Sequence, residues 1–309
     1  MAHVTFIHGI SNKPPQEQLT DLWCRGLANS DGLDLGTEGI TCSMVYWADT
    51  LYPAALDAEA AESVENEAAL EGKMPDPPGL ELGAMPAQER AWTLALATKL
   101  GIALTAEGIA PAALSPVHES LERVPLPWSV KGPLMKRLLR DVHHYLFNVE
   151  YSPRPGVTYR IQDEIRGRMV RALQDGAARP RPHVVVSHSM GTVIAYDCLK
   201  RVSEVSPVDG LMTIGSPLGL DEVQDKLKPE WSREDGFPSS RLRGQWVNVY
   251  DSLDPVAGFD PKLANDYRRA RLTAIDDVNE QNAGTWRHDI SKYFAGPQLR
   301  AKLRGLLEL

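Results

Sequence analysis

The stretch His183-Val184-Val185-Val186-Ser187-His188-Ser189-Met190-Gly191-Thr192 constrains the fold more than any other part of the chain. Three consecutive β-branched residues, Val184, Val185 and Val186, ask for a pleated strand buried on both faces. From Met190 to Leu199 the apolar residues return at helical spacing. A strand must therefore pass directly into a helix, with the turn made by Ser187 to Gly191. Strands of this kind belong to parallel sheets covered by helices, so the stretch points to an α/β architecture.

The turn also has chemical content. Ser187-His188-Ser189-Met190-Gly191 is a variant of the nucleophile elbow Gly-x-Ser-x-Gly, with Ser187 at the first glycine position. Small residues flank the nucleophile in an elbow because strand and helix approach closely and the nucleophile's backbone is strained. Ser187 and Gly191 are both small. The geometry lifts the Ser189 hydroxyl above the sheet edge. It also turns the Met190 N–H, at the positive end of the new helix, toward an oxyanion formed beside it. These five positions alone also describe a plain strand-to-helix connection with a serine cap, and the rest of the chain separates the two readings.

With 309 residues and 43% hydrophobic content, the chain can bury one large core. The 33 Lys and Arg against 41 Asp and Glu leave a net charge of −8, which argues against a nucleic-acid partner. Cys24, Cys42 and Cys198 are too few and wrongly spaced for a disulfide framework or a zinc site, and an odd count fits a reducing compartment. The first residues enter a strand without a basic leader and apolar core, so the expected location is the cytoplasm.

Val4 to Ile7 reads as a short strand ending in His8-Gly9-Ile10. A glycine directly after a strand lets the backbone turn so that the Ile10 N–H faces the cleft, a candidate second oxyanion donor. His8 is expected to fix this loop rather than to take part in chemistry. Gln16 to Leu27 is helical, and Ile40 to Trp47 completes a βαβ unit. Ala54 to Leu70 reads as a polar helix or arm, and Met74 to Pro86 as a proline-rich loop.

Ala91 to Leu114 is the most apolar stretch, but Lys99, Glu107, two glycines and Pro111 interrupt it, so it is no membrane span. It reads as a helical hairpin packed over the core, with a surface-seeking lid as the alternative. Leu134 to Val149 is an amphipathic helix carrying His143 and His144. Adjacent residues do not share a helix face, so one buried and one exposed ring are expected rather than a metal site. Tyr159 to Leu173 is a further helix whose arginines suit a solvated face.

After the elbow helix, Val208 to Ile214 forms a strand ending in Gly215-Ser216-Pro217, and Gln245 to Tyr250 forms another, followed by Asp251-Ser252-Leu253-Asp254-Pro255-Val256. Arg271 to Ile275 reads as the last strand. The polar loop Trp286-Arg287-His288-Asp289 follows, and Gln298 to Leu307 closes the chain as a helix. Parallel strands open their carboxyl ends on one rim, so Ser189, the acidic loop and His288 should meet there.

A serine hydroxyl needs a base within hydrogen-bond reach, and imidazole is the side chain whose unperturbed pKa lies near 7. A carboxylate must hold that ring in the right tautomer. Of eight histidines only His288 follows the acidic loop, and His188, inside the elbow, should point away from Ser189. Asp254 and Asp251 both compete for the acid, with Asp221 a further choice after the earlier strand. Asp289 reads as a solvated loop charge.

The order Ser189, Asp254, His288, each after a strand, resembles the α/β-hydrolase superfamily. The resemblance is closest to lipase-like and esterase-like serine hydrolases. It rests on the elbow, on His8-Gly9 as an early oxyanion loop, on Gly215-Ser216-Pro217 and on Asp254-Pro255-Val256. It covers the chain except roughly residues 53–155. It implies an α/β-hydrolase-like, mostly parallel sheet of about six strands, because the family's first two strands have no counterpart here. Residues 1–52 and 156–309 would form the core and 53–155 a helical insertion or cap.

The resemblance also favours Asp254 as the acid and implies cleavage of a carboxylic ester. Ser189 would be the nucleophile, His288 the base, and the backbone of Ile10 and Met190 the oxyanion hole, with His8, Gly9 and Gly191 in support. No metal or organic cofactor is called for. The apolar stretch suggests a hydrophobic, lipid-like substrate and peripheral contact with a membrane. Competing readings are a thioesterase, amidase or acyltransferase on the same residues, a non-catalytic binding module, and a membrane-surface or partner-docking protein.

Overall fold

Val184 and Val186 pack to one side of their strand and Val185 to the other, as the period of two requires, and the neighbouring strands repeat the pattern. The computed structural model describes residues 1–56, 80–105, 108–109, 128–284 and 286–309. Six strands form one sheet: β1 (His3–Ile7), β2 (Thr41–Val45), β7 (His183–His188), β8 (Gly210–Ile214), β9 (Trp246–Tyr250) and β10 (Ile275–Asn279). Their order is β10-β9-β8-β7-β1-β2, and every pairing is parallel. The protein is thus an α/β fold built on a parallel six-stranded sheet.

Helices cover both faces. On one side lie α1 (Gln16–Ala28), α7 (Ile290–Ala295) and α8 (Pro297–Leu306), which bury Trp23, Phe294 and Leu303 against Phe6, Val186 and Ile214. On the other side lie α2 (Ala87–Lys99), α3 (Trp128–Leu146), α4 (Ile161–Ala177), α5 (Met190–Arg201) and α6 (Asp221–Lys226). α4 buries Ile161, Ile165, Met169 and Leu173, a single stripe at four-residue spacing. Each such side chain contributes roughly 1.5–3 kcal/mol of burial. Leu134, Leu138 and Val142 of α3 join the same cluster as Val185 of the sheet.

Chain order sets the rim. From β1 the chain goes outward to β2, then returns to β7 and runs the other way through β8, β9 and β10. The order reverses between β1 and β7, and ligand crevices of open parallel sheets form at the carboxyl ends beside such a reversal. Residues 8–11 and Ser189 leave the sheet at that point.

Several expected elements differ. The last strand is Ile275–Asn279 rather than Arg271 to Ile275, because Arg269 and Leu272 close a tight turn in which Ala270 and Arg271 take positive φ. The helix expected from Tyr159 begins at Ile161. Val157–Arg160 (β6) instead pairs antiparallel with Glu150–Arg154 (β5) across Pro155-Gly156, with Gly156 at φ +77°. Of the hairpin expected over 91–114, α2 is the only helix among the described residues. Leu104–Thr105 (β3) and Gly108–Ile109 (β4) pair as a short antiparallel ladder, after Gly101 at φ +73° has ended the helical run. The remainder of that stretch, all of the expected arm beyond residue 56 and residues 74–79 of the proline-rich loop lie outside the described residues; in the rest of that loop Leu82–Ala84 forms a single 3-10 turn.

His143 and His144 are both buried rather than split between core and solvent. His143 Nε2 meets Glu89 Oε1 of α2 at 2.9 Å, and His144 packs edge-on against Tyr151 of β5. Neighbours that α3 meets on two sides, invisible in its own sequence, explain the difference.

Burial lowers the pKa of His183 to about 4 and that of His144 to about 3, and it also lowers His143 and His3. Unfolded histidines titrate near 6.5. Their contribution to stability is complete above that value and is lost as pH falls through the folded values. The melting temperature should therefore hold from pH 8 to 7 and drop between pH 6.5 and 4. Equal melting temperatures at pH 7.5 and 4.5 would contradict these histidines being buried neutral.

Candidate active site

The β7–α5 turn carries Ser189 at φ +52°, ψ −129°, an outlier for a residue with a side chain. Such backbone strain costs on the order of 1–3 kcal/mol and needs anchors. The Ser189 N–H donates to the Ile214 carbonyl at 2.9 Å, while its own carbonyl accepts from the Thr192 hydroxyl at 2.6 Å and the Thr192 N–H at 3.0 Å. Ser187 donates its hydroxyl to the Met212 carbonyl at 2.9 Å, so the serine at the first elbow position ties β7 to β8. A side chain on Gly191 would place a Cβ 2.6 Å from the His8 carbonyl oxygen. Only glycine lets α5 start this close to the end of β1.

His288 faces Ser189. Its Nε2 lies 2.9 Å from Ser189 Oγ, and its Nδ1 lies 2.9 Å from each carboxylate oxygen of Asp254. With Nδ1–H donating to the carboxylate, Nε2 is left to accept the serine proton. Ser189, His288 and Asp254 expose 1%, 1% and 0% of their surface. A hydrogen-bonded array sheltered from water is electrostatically stronger than the same array in solvent.

Asp254 sits four residues past the end of β9. Burial pushes its carboxyl up, but the charge and hydrogen bond of His288, the Tyr293 hydroxyl at 2.7 Å and the Val256 N–H at 2.7 Å outweigh that, and the net shift is downward. The Ala257 N–H adds a further donor at 3.1 Å. Asp254 is thus held as a carboxylate. Gly215, at φ +56°, passes so close that a Cβ there would lie 3.0 Å from Asp254 Oδ2 and 3.2 Å from His288 Nδ1.

Asp251, the other candidate acid, serves a different purpose. It accepts from the Leu253 and Asn282 N–H groups at 2.7 Å and from Arg287 at 3.0 Å, which ties the loop before His288 to the end of β9. Asp221 begins α6 and is exposed. Asp289 is buried rather than solvated: its carboxylate accepts the Ser291 N–H at 2.9 Å and caps α7.

The structure adds two residues that sequence reasoning missed. Tyr293 donates to Asp254 and accepts from the Asp251 N–H at 2.9 Å, and burial followed by the Asp254 charge raises its pKa, keeping the hydroxyl protonated. The signal for it was Asp289 as a helix cap, since a helix begun at Ile290 brings Tyr293 back toward His288. His188 donates from Nε2 to the His288 carbonyl at 2.9 Å, with ring centroids 4.8 Å apart. It props the His288 loop.

The loop after β1 lies against the elbow, since a Cβ on Gly9 would fall 2.7 Å from Ser189 Cβ. His8 orders this loop. Its Nε2 accepts the Trp47 N–H at 3.0 Å, which leaves Nδ1–H to donate to the Gly9 carbonyl at 2.8 Å. The ring stacks on Trp47 at 4.7 Å, and the Trp47 indole N–H donates to the His8 carbonyl at 3.0 Å. Burial and, after it, Lys13 lower the His8 pKa well below 6.5, so the ring is neutral. In a trans peptide the N–H points opposite the C=O. Turning the Gly9 carbonyl onto His8 therefore directs the Ile10 N–H to the other side.

Among the described residues no group of three or more His, Cys, Asp or Glu is arranged to hold a metal ion, and no helix is long and apolar enough to cross a membrane. A polar cleft of about 550 Å³ lies elsewhere, between the edge strand β2 and α4, lined by residues such as Ser43, Tyr46, Arg168 and Arg171. Its lining includes none of Ser189, His288 and Asp254.

No family model matches the chain, and no curated protein matches it. Among solved structures, the crystal structure of an uncharacterized protein from Pseudomonas aeruginosa aligns over 91% of this chain at 12% sequence identity and a TM-score of 0.28. The chain spans 40% of the length of that protein.

Proposed function

We propose that the protein is a serine hydrolase of the α/β-hydrolase type that cleaves a carboxylic ester through an acyl-enzyme. The observation that carries this reading is the unbroken hydrogen-bond array from Ser189 through His288 to Asp254, with Ser189 at a strained turn leading into a helix. Ser189 Oγ attacks the ester carbonyl while His288 Nε2 takes its proton. The carbonyl oxygen becomes an oxyanion facing the backbone N–H groups of Met190 and Ile10. Collapse expels the alcohol, which takes the proton from Nε2. Water, deprotonated by the same nitrogen, then releases the acid. Asp254 holds the ring and stabilises its cationic form throughout.

The same residues suit thioester or amide cleavage and acyl transfer, which differ in leaving group or acceptor. A hydrophobic acyl group rests on the apolar sequence of 91–114 alone, since Leu96, Ala97, Leu100 and Ile102 pack into the core cluster. The free cysteines Cys24, Cys42 and Cys198 support a reducing compartment such as the cytoplasm.

The test is intact-mass analysis after incubation with a fluorophosphonate. One adduct is expected, and peptide mapping should locate it on Ser189. A folded protein that takes no adduct would leave the reading without an activated serine and favour a binding module on the same fold.

A further inference from the structure

We propose that Asp141 of α3 is a positioning residue for the oxyanion loop, an inference that rests on the hydrolase reading above. The Ile10 peptide is the unit whose N–H must point at the developing charge. One side of it is set by His8, which holds the Gly9 carbonyl at 2.8 Å. The other side is set from outside the β1 loop: the Ser11 N–H donates to Asp141 Oδ2 at 3.3 Å. Because each peptide is planar, holding the Gly9 carbonyl fixes the plane before Ile10 Cα, and holding the Ser11 N–H fixes the plane after it. The Ile10 side chain is itself buried in the core cluster that contains Leu138 and Val142 of α3.

Two features show that this anchor is built rather than incidental. Ser11 is at φ +70°, a left-handed conformation that a residue with a side chain keeps only where its surroundings hold it. Asp141 is fully buried, and its other oxygen is gripped by Arg140 through Nε at 2.8 Å and Nη2 at 2.6 Å. Arg140 Nη2 in turn donates to the Tyr52 hydroxyl at 2.7 Å, and the guanidinium lies over the Tyr52 ring. The carboxylate that receives the Ser11 N–H therefore cannot swing away. This makes α3, far from the elbow in sequence, part of the apparatus that aims the Ile10 N–H.

The test uses Asp141→Asn and, because a lone buried Arg140 can unfold the protein, the double variant Arg140→Gln/Asp141→Asn, which removes both charges together. Each is compared with the full-length wild type by melting temperature, by kcat and KM on a short-chain p-nitrophenyl ester, and by affinity for a trifluoromethyl ketone. The ketone reports the oxyanion loop directly. Ser189 Oγ bonds to its carbonyl carbon, the serine proton moves to His288 Nε2, and the carbonyl oxygen becomes the anion that the Ile10 and Met190 N–H groups hold.

Misaiming one donor should lower kcat about 10- to 100-fold with KM within about twofold, and should weaken the ketone by the same factor as kcat/KM. A residue that merely braces the fold would lower the melting temperature and leave the folded enzyme's kcat and ketone affinity unchanged. A folded variant with kcat within twofold of wild type, or one whose kcat falls while ketone affinity stays level, overturns the proposal. These outcomes are read only if the wild type is labelled by fluorophosphonate at Ser189. A wild type that is not labelled fails the hydrolase reading, whereas a labelled wild type with indifferent Asp141 variants fails this inference alone.

Discussion

Ser189→Ala is expected to lower ester turnover by about a millionfold, and His288→Ala by nearly as much, with the double variant no worse than either alone. The lack of additivity follows from the geometry. Ser189 Oγ and His288 Nε2 share one hydrogen bond of 2.9 Å, and removing either atom removes the proton transfer that both serve. Both substitutions shorten a side chain without introducing charge, so the folded state should survive. Turnover of a chromogenic ester by purified variants is the measurement. A Ser189→Ala protein retaining even one-hundredth of wild-type activity would place the nucleophile elsewhere.

Asp254→Asn is expected to lower kcat about ten-thousandfold while leaving Ser189 and His288 in place. The amide would present a donor to His288 Nδ1 and so favour the tautomer with its proton on Nε2, the wrong one to accept from serine. Asp251→Asn should behave in the opposite manner: it weakens the contacts to Arg287 and Asn282, lowering the melting temperature more than kcat. Between them, Tyr293→Phe removes one of several donors to Asp254 and should cost only a few-fold in kcat. Kinetics and thermal melts on the three variants decide the assignment, and equal kcat losses in Asp251→Asn and Asp254→Asn would contradict it.

Features that depend on backbone geometry were legible in the sequence. Three valines, a small residue, a serine and a glycine leave few conformations other than a strand, a tight turn and a helix, and the structure has all three. His288 was legible by its place in the chain. The carboxylate partner of His288 was legible from the residues alone only as a pair, because Asp251 and Asp254 both lie just past β9, and it was the resemblance that favoured Asp254. Which one reaches His288 depends on the Val256 and Ala257 N–H groups and on Tyr293, contacts between distant segments. The last strand was misplaced because Ile275–Asn279 is an edge strand with two acidic residues between Ile275 and Val278, so it lacks the apolar run of the inner strands. The burial of His143 and His144 was illegible for a related reason: Glu89 and Tyr151, which receive them, belong to other elements.

The position of β1 in the middle of the sheet bears on how the protein comes into being. β1 pairs with β2 nearby in the chain, but its other neighbour is β7, with His3 opposite His183 and Ile7 opposite Ser187. A chain leaving the ribosome N-terminus first cannot complete this pairing until β7 has been made, and pairings across such separations are slow to form. The Gly9 backbone meets Ser189 only when that seam closes, and His288 arrives a further hundred or so residues later. Nascent chains should therefore be chemically silent through most of synthesis, and reactivity should arise in one step as the sheet closes around its earliest strand.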